Sequence, residues 1–323
     1  MLNLPLVSFI VTSYNYDKYI LKTLESIKKQ SYKNFEVIIV DDKSSDNSVK
    51  LITKFIKDNP DINIKLIQHD FNFGQLKAFQ TGLAEAKGQF VSFIDSDDMI
   101  TKDYAKTHIS VHLKTSAAFT SSQIIEIGEN DEIHTLYSVS SPQPHEKIME
   151  QNYKKVDCNL SLDEILKTDI ENVEYKILDT KSAPFGGWWW SPSSSAMFRK
   201  SAIDILLSYP TPQDWRICPD KFLFNLANLI GGSVVIYAPL TAYRRHNMNA
   251  GHSTYVCGNK RYNNDFTTEL NIKNNLKIRP LTLKFLRENS SIFNEKFGKK
   301  NTAKLYLTVL LSYFYLFKQF IKF

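Results

Sequence analysis

The sequence predicts an α/β fold in which a mostly parallel sheet is flanked by helices. Short apolar runs alternate with amphipathic segments through the first hundred residues. Near-continuous apolar strands that alternate with helices are typical of a parallel sheet covered on both faces. Three of these strands also end in polar residues. Since the ends of parallel strands meet at one edge of the sheet, the polar ends are predicted to form a single site.

The composition suits a soluble globular protein with one large domain or two smaller ones. The 323 residues carry a formal net charge of +6, which gives no nucleic-acid signature. Cys158, Cys218 and Cys257 are scattered and odd in number, so neither a disulfide framework nor a zinc cluster is indicated. The N-terminus is typical of a first strand, not of a signal peptide, and no apolar segment is long enough to span a bilayer comfortably. We therefore expect a cytoplasmic protein.

Hydrophobic periodicity predicts seven elements before residue 95. The strands are Leu6–Val11, Phe35–Val40, Ile62–Ile67 and Phe90–Ile94, and the helices are Tyr19–Lys29, Ser48–Lys57 and Gly74–Ala86. The polar ends are Thr12–Asn15 after the first strand, Asp41-Asp42 after the second and Asp95–Asp98 after the fourth. No glycine-rich phosphate-binding motif is present. If phosphates bind at this edge, a metal ion would have to neutralise them.

The acidic turn, Asp95–Asp98, contains three carboxylates in four positions. They repel one another and resist desolvation, which favours a cationic partner. Oxygen ligands suit Mg²⁺ or Mn²⁺, with Ca²⁺ as a competitor, although the spacing is not that of an EF-hand. The alternative is a solvated turn, or a cap for a helix that starts near Met99.

The second half is less regular. A helix is predicted at Tyr104–Lys114 and a strand at Ala117–Ile127. His108 and His112 lie four residues apart, but the glutamate of a zinc-binding HExxH motif is absent, which favours packing or surface histidines over a metal pair. After a polar region at 128–182, a helix starts at Pro219 and a last strand ends near Tyr243.

Three blocks in the first hundred residues resemble family 2 glycosyltransferases of the GT-A fold. They are VSFIVTSYN, EVIIVDDKSSD and NFGQLKAFQTGLAEAKGQFVSFIDSDD, and the resemblance resumes between Trp188 and Asn249. It implies an inverting, metal-dependent enzyme of the hexosyltransferase type, with Mg²⁺ or Mn²⁺ as cofactor. The implied reaction moves a sugar from a nucleotide diphosphate sugar, in particular a UDP-sugar, to a glycan or lipid-linked acceptor. Bacterial surface polysaccharide synthesis is the implied setting.

The resemblance also implies roles for individual residues. Tyr14 would stack on the nucleotide base, Asp42 would bind the base or ribose, and Asp220 would be the general base. The implied nucleotide-sugar residues are Thr12, Tyr14, Asn15, Asp42, Lys77, Asp95, Ser96 and Arg244, and the implied metal ligands are Asp95, Asp97, Asp98 and His246. For Asp220 the structural alternative is a carboxylate favoured by the dipole of its helix.

The chain departs from the family at Ala78-Phe79-Gln80, where many relatives carry Ala-Arg-Asn. An arginine that would help to hold the donor is therefore missing, and whether Lys77 replaces it is left open.

Trp188, Trp189 and Trp190 are consecutive, so they cannot all face one core from a regular element. They are candidates for an acceptor subsite because aromatic faces stack on sugars. The alternative is that all three pack under a loop.

The sequence suggests a boundary near residue 255. Residues 1–255 would form the catalytic domain, with a nucleotide-sugar half at 1–127, a variable insertion at 128–182 and an acceptor half at 183–255. Residues 256–323 would form a helical extension. Its end, Leu305–Phe323, is apolar and aromatic with flanking lysines. It could lie in a membrane interface, pack on its own domain, or join a second subunit.

Two rival functions remain open from sequence. A nucleotidyltransferase also joins a parallel sheet to a metal-bound nucleotide, but it usually needs a glycine-rich basic loop, and TSYNYDK is not one. A non-catalytic module for sugar nucleotides or glycans is the second rival. The aspartate pair, Asp220 and the Tyr243–His246 sequence argue against it.

Overall fold

A ten-stranded mixed sheet forms the centre of the molecule. The computed structural model describes residues 4–138, 161–167, 169, 173–179, 182–183, 185–246, 249, 256–257, 260–261 and 265–320. The sheet strands are β1 Val7–Ser13, β2 Phe35–Asp41, β3 Ile64–Gln68, β4 Phe90–Asp95, β5 Met99–Ile100, β6 Phe119–Ile127, β7 Ile133–Ser138, β8 Tyr175–Leu178, β9 Ala196–Arg199 and β10 Ser233–Arg244. A separate hairpin pairs β11 Val256–Cys257 with β12 Lys260–Arg261.

Helices cover the sheet and continue beyond it. They are α1 Ile20–Lys28, α2 Ser48–Asp58, α3 Gln75–Glu85, α4 Tyr104–His112, α5 Leu162–Lys167, α6 Lys200–Ile203, α7 Asp220–Gly231, α8 Asp265–Glu288, α9 Ser290–Phe297 and α10 Lys299–Phe320. Three short 3₁₀ turns lie at Ser193–Ser195, Asp204–Ser208 and Pro212–Trp215. Two large apolar clusters and a smaller one fill the space between sheet and helices.

The strand order is β3-β2-β1-β4-β9-β6-β10-β5. Strands β1 to β4 are parallel to one another, and β10 is parallel to β6. In contrast, β9 runs antiparallel between β4 and β6, and β5, β7 and β8 also pair antiparallel. The register aligns Thr12 with Asp95 and Ser13 with Asp41, so the polar ends of β1, β2 and β4 meet at one edge. The α/β fold class is confirmed, and the sheet is parallel across β3-β2-β1-β4 and mixed beyond β4.

Two local predictions were wrong. Thr12 and Ser13 were expected after the end of the first strand, but β1 continues through Ser13, because Thr12 pairs with both neighbouring strands and Ser13 still pairs with Asp41 of β2. Met99 was one candidate start of a helix after the acidic turn. Instead Met99 and Ile100 form β5, which pairs antiparallel with Thr241 and Ala242 of β10.

The C-terminal helices pack on the same apolar cluster as α7. Phe285 of α8 contacts Tyr209 and Phe222, and Leu305 and Val309 of α10 are buried in that cluster. None of the helices in the described part of the chain combines the length and apolar composition needed to cross a bilayer. The predicted boundary at residue 255 and most of the predicted insertion at 128–182 lie outside the described residues.

Candidate active site

Asp95 is the last residue of β4, and protein donors bond both of its carboxylate oxygens. Oδ1 accepts from Gln75 Nε2 at 2.8 Å and from Thr12 Oγ1 at 3.2 Å, while Oδ2 accepts from Ser193 Oγ at 3.0 Å. Its backbone N–H donates to Ser194 Oγ at 3.0 Å. Burial, together with the charge of Asp97, raises the pKa of Asp95 to about 7. The site thus holds this carboxylate in place but disfavours its ionised form.

Asp97 and Asp98 complete the acidic turn, and both are buried. Asp97 Oδ2 accepts from His246 Nε2 at 2.8 Å and from Asn249 Nδ2 at 3.1 Å. Asp98 Oδ1 accepts from the backbone N–H of Arg244 at 2.9 Å. Burial and the charges of Asp97 and Asp95 raise the pKa of Asp98 well above its usual range. The hydrogen bonds described for these two carboxylates therefore come from the end of β10 and the residues just after it.

The Arg244 guanidinium lies inside the protein with 0% exposure. Nε donates to the Asp97 carbonyl at 2.9 Å, Nη1 donates to the Gly128 carbonyl at 2.9 Å, and Nη1 lies 2.7 Å from the Asp131 carboxylate. The implied role of Arg244 as a nucleotide-sugar residue is corrected accordingly. A fully buried guanidinium that is directed at backbone carbonyls holds the acidic turn in place instead.

Two tyrosines before and at the start of α1 lie against this turn. The Tyr19 ring is buried, stacks on His246 with ring centroids 5.2 Å apart, and lies 4.7 Å from the Arg244 guanidinium. Tyr16 packs edge-on against His246 at 5.5 Å. Burial and the charges of the three aspartates raise the pKa of Tyr16, so its hydroxyl stays protonated. Sequence reasoning missed both tyrosines, since aromatic residues at a helix start also suit simple packing.

The acidic turn offers the right donor atoms for Mg²⁺ or Mn²⁺. Asp98 Oδ2 is buried and lacks a hydrogen-bond partner, and three carboxylates are crowded together, both of which fit a cation. Among the described residues, however, no group of three or more His, Cys, Asp or Glu side chains is arranged to hold a metal. The oxygens of Asp95 and Asp97 instead accept bonds from protein groups. The donor atoms therefore suit a divalent ion, but the described residues do not form a preformed coordination site.

The Asp42 carboxylate organises the loop before α3. Oδ1 accepts from the Phe73 N–H at 2.9 Å and lies 2.7 Å from His69 Nδ1, while Oδ2 accepts from the Gly74 N–H at 2.7 Å. Asp42 is buried, so the predicted base or ribose contact would compete with these bonds. In this structure Asp42 shapes the loop that leads to Gln75.

That loop is fastened to the 212–220 segment, which precedes and begins α7. Arg216 donates to the Asn72 carbonyl at 3.0 Å and to its side-chain oxygen at 2.5 Å. The Gln75 N–H donates to the Arg216 carbonyl at 2.9 Å. Gly74 has φ +90°, and an added Cβ would lie 2.7 Å from Arg216 Cα, so this approach requires glycine. Gln75 therefore connects Asp95, through its side chain, to the 212–220 segment, through its backbone.

Asp220 is the first residue of α7 and is half-buried. Its Oδ1 accepts from the Lys221 N–H at 2.9 Å, as expected for a carboxylate at a helix start. Burial raises the pKa of Asp220 to about 6, and the charge of Asp220 in turn contributes to the raised pKa of Asp95. The fold therefore brings the predicted base close to the acidic turn, although Asp220 follows Asp98 by 122 positions in the sequence.

The other residues predicted to bind the nucleotide sugar differ in exposure. Tyr14 is 45% exposed at the sheet edge, where a ring is free to stack on a flat ligand. Asn15 has φ +60°, and its side-chain oxygen accepts from the Ser45 N–H at 2.7 Å, so it braces its own loop. Ser96 is buried and its carbonyl accepts from Thr23 Oγ1. Lys77 is half-buried in the first turn of α3.

The three consecutive tryptophans lie in different environments. Trp190 is 1% exposed and donates from Nε1 to Ser233 Oγ at 2.9 Å, inside the core beside Phe119. Its prediction as an acceptor residue is corrected, because a buried ring with a bonded N–H cannot meet a sugar. Trp188 and Trp189 are half-buried and remain candidates.

His108 and His112 are both fully buried, which confirms the packing interpretation. His108 Nδ1 lies 2.7 Å from Thr120 Oγ1, and His112 Nε2 lies 3.0 Å from the Met197 carbonyl. Burial lowers the pKa of both rings, so they are neutral.

Sequence reasoning also missed Gln75, Ser193 and Ser194, which bond Asp95. Gln75 stands within a quoted block, but an uncharged side chain gave no chemical signal there. The serines lie in SPSSSAMFRK, about a hundred residues after Asp95, and only the antiparallel entry of β9 beside β4 brings them close.

Comparison with known proteins agrees with this architecture. Residues 8–166 match the family model described as Glycosyl transferase family 2. The chain is 28% identical over 243 residues to an uncharacterised glycosyltransferase of Nostoc sp., covering 75% of this chain and 66% of that protein. It is 37% identical over 114 residues to the Escherichia coli UDP-Glc:alpha-D-GlcNAc-diphosphoundecaprenol beta-1,3-glucosyltransferase WfgD, covering 35% and 44%. The chain thus spans less than two thirds of the length of either relative.

Among solved structures, the sheet and helices resemble S. aureus TarS 1-349 in complex with UDP-GlcNAc. The TM-score is 0.57 with 18% sequence identity, and the match covers 94% of this chain and 71% of that one. At this identity the likeness concerns the fold. The family match supports the glycosyltransferase resemblance over the nucleotidyltransferase alternative. Residues 8–166 belong to glycosyl transferase family 2, and the chain has the GT-A fold.

Proposed function

We propose that this protein is an inverting glycosyltransferase that moves a sugar from a nucleotide diphosphate sugar to an acceptor hydroxyl. The observation that carries the proposal is the position of Asp220 at the start of α7, within electrostatic reach of Asp95 in the acidic turn. A general base and a charge-handling group for the leaving diphosphate are the two parts that such a transfer needs. Family membership supports the same reaction class.

In the proposed reaction, Asp220 accepts the proton of the acceptor hydroxyl. The oxygen attacks the anomeric carbon, the bond from that carbon to the diphosphate oxygen breaks, and the nucleoside diphosphate leaves. A pKa of about 6 suits this task, because Asp220 is largely ionised near pH 7 yet more basic than an ordinary aspartate. Attack opposite the leaving group inverts the anomeric centre.

We propose Mg²⁺ or Mn²⁺ as the cofactor, held by residues of the acidic turn. Asp98 carries the unpartnered oxygen, and Asp95, Asp97 and His246 would contribute if their present bonds rearrange. A bound divalent ion would offset the negative charge that develops on the leaving diphosphate. Without it, the raised pKa values of Asp95 and Asp98 show how strongly the site resists three adjacent charges.

A UDP-sugar is the proposed donor, with the exposed Tyr14 ring as the stacking surface for the base. The named relatives support this choice, since WfgD uses a UDP-sugar and TarS has been solved with UDP-GlcNAc. The proposed acceptor is a glycan or lipid-linked saccharide, as for WfgD, and Trp188 and Trp189 are its candidate contacts. Bacterial surface polysaccharide synthesis, in the cytoplasm and at the inner face of the cell membrane, is the proposed setting.

The deciding experiment is a panel of nucleotide sugars, screened for thermal stabilisation with and without Mn²⁺ and then for slow donor hydrolysis. We expect one UDP-sugar to raise the melting temperature only with the metal, and to be hydrolysed. Asp97→Asn should abolish the metal dependence of binding while the fold is retained, with the exposed Asp61→Asn as a matched control. Stabilisation without hydrolysis or transfer would indicate a non-catalytic binding module. Metal-independent binding by both variants would contradict the cofactor.

A further inference from the structure

Helix α10 has two different faces. The inner face carries Leu305 and Val309, which are buried against the core, and Ser312 Oγ accepts from Arg279 Nε at 3.0 Å. The outer face carries four large apolar side chains that remain in water. They are Tyr306 at 38% exposure, Leu307 at 52%, Leu310 at 37% and Leu311 at 54%. Packing on its own domain therefore accounts for only one face of Lys299–Ser312, and the outer face of this part lacks a partner among the described residues.

Lysines continue this outer face toward the start of the helix. Lys300, Lys304, Leu307 and Leu311 are all exposed and follow one another at helical spacing, so they form one stripe that we call the outer stripe. Residues 299–323 contain five lysines and no aspartate or glutamate. The stripe therefore joins an apolar surface to positive charge without any compensating acid on the same helix.

We infer that the outer stripe of α10 docks on an anionic lipid surface. An amphipathic helix with lysines beside leucine and aromatic residues lies in the membrane interface, with its apolar side chains among the lipids and its cations at the headgroups. A second copy of the chain fits less well, because a two-fold contact through this stripe would gather the lysines of both copies in one interface, and neither helix carries an acid to pair with them. The charge of the stripe thus selects anionic lipid as its partner.

The packing of α10 on the domain determines which side of the candidate site would face the lipid. It packs on α8, in which Lys277 Nζ donates to the Asp214 carbonyl at 2.6 Å and lies 4.3 Å from the Trp215 ring. Those residues belong to the 212–220 segment, which ends at Asp220. The lipid-facing helix is therefore coupled to the side of the site that carries the proposed base, and its use for reaching a lipid-linked acceptor rests on the proposed function.

Co-sedimentation of the full chain with vesicles tests the inference. Vesicles of phosphatidylglycerol mixed with phosphatidylcholine should retain the protein at low salt, and those of phosphatidylcholine alone should retain far less. The double variant Lys300→Gln, Lys304→Gln should lower partitioning by roughly 25-fold, since each lysine near the surface contributes a factor of about five. Leu307→Glu should abolish retention.

Matched controls separate these effects from general changes in charge or solubility. Lys50→Gln, Lys54→Gln on α2 removes two exposed lysines at the same spacing, and Leu113→Glu changes another leucine that is 65% exposed. Both should bind vesicles as the unaltered protein does. Donor hydrolysis, measured without vesicles, should be equal in all variants, so loss of docking is distinguishable from failure of the proposed reaction. Equal retention by neutral vesicles, or a salt-independent dimer that ignores vesicles and is broken by Leu307→Glu, would overturn the inference.

Discussion

The acidic turn and Asp220 hold carboxylates in the same site by different means. Asp95, Asp97 and Asp98 stand at the end of a central strand, and side chains or backbone from β1, α3, the 193–195 turn and β10 bond them. Asp220 follows an irregular segment that contains a 3₁₀ turn and a residue with positive φ, Cys218. One group is fixed by the sheet, and the other depends on contacts between loops.

The pKa values show the same contrast. Mutual repulsion adds to burial for Asp95 and Asp98, whereas burial alone raises the pKa of Asp220, and the neighbouring Lys221 partly opposes it. A crowded, rigid turn suits the handling of the diphosphate charge. A single, moderately basic carboxylate suits proton transfer. The two regions can therefore be disturbed separately.

The largest expected effect is on turnover. Asp220→Asn keeps the shape of the side chain but cannot accept a proton, so kcat should fall by ~10²–10⁴-fold with little change in donor affinity. Steady-state kinetics and donor titration measure the two quantities. Asp214→Asn is the matched control, since that carboxylate bonds Tyr209 and Thr211 and should be nearly neutral for turnover. If kcat instead falls in Asp214→Asn and is nearly unchanged in Asp220→Asn, then Asp214 is the base.

The next effect is on stability. Arg244→Met leaves the buried Asp97–Asp98 region without its guanidinium, so the free energy of unfolding should fall by about 3 kcal/mol and donor affinity should fall with it. Urea unfolding measures the first change. Arg245→Met is the neighbouring control: it breaks a partly buried pair with Glu126 at 2.9 Å, and no described hydrogen bond joins Arg245 to the acidic turn. It should lower stability and spare donor affinity. If donor affinity is equal in both variants, Arg244 does not support donor binding through the acidic turn.

A smaller effect should come from the contact between the two regions. Arg216→Ala removes both bonds to Asn72, and the loss of one or two hydrogen bonds should slow transfer by about tenfold while donor affinity is retained. The exposed Arg287→Ala on α8 is a control of the same chemistry. If Arg216→Ala instead lowers donor affinity, then Arg216 supports binding of the nucleotide.

The smallest effect concerns pH. Ionised Asp220 is the active form, so activity should decline as the pH falls through about 6. The charge of Lys221 lowers the pKa of Asp220, so Lys221→Met should move this acid limb to higher pH, by less than about one unit. Lys277→Met is the comparison variant and should leave the limb in place. A shift to lower pH in Lys221→Met would contradict the role of Asp220.

The sequence by itself determined the α/β class, the parallel order of the first strands and the edge at which their polar ends meet. Each of these rests on local properties: apolar periodicity, short connections and the two-residue repeat of strands. Asp95–Asp98 was identifiable because three adjacent acids are costly to bury. The family resemblance, and not spacing, supplied Asp220.

Tertiary structure decided what surrounds those acids. Gln75 and Ser193 are uncharged and distant in sequence from Asp95, so only the docking of α3 and the antiparallel entry of β9 reveal their bonds to it. The same holds for Arg244. Its charge suggested a contact with the ligand, but in the structure its guanidinium is buried and bonds backbone carbonyls. The sequence indicates only that a charged residue needs a partner. Which partner it finds is settled by long-range packing, because a hydrogen bond depends on distances that no local pattern encodes.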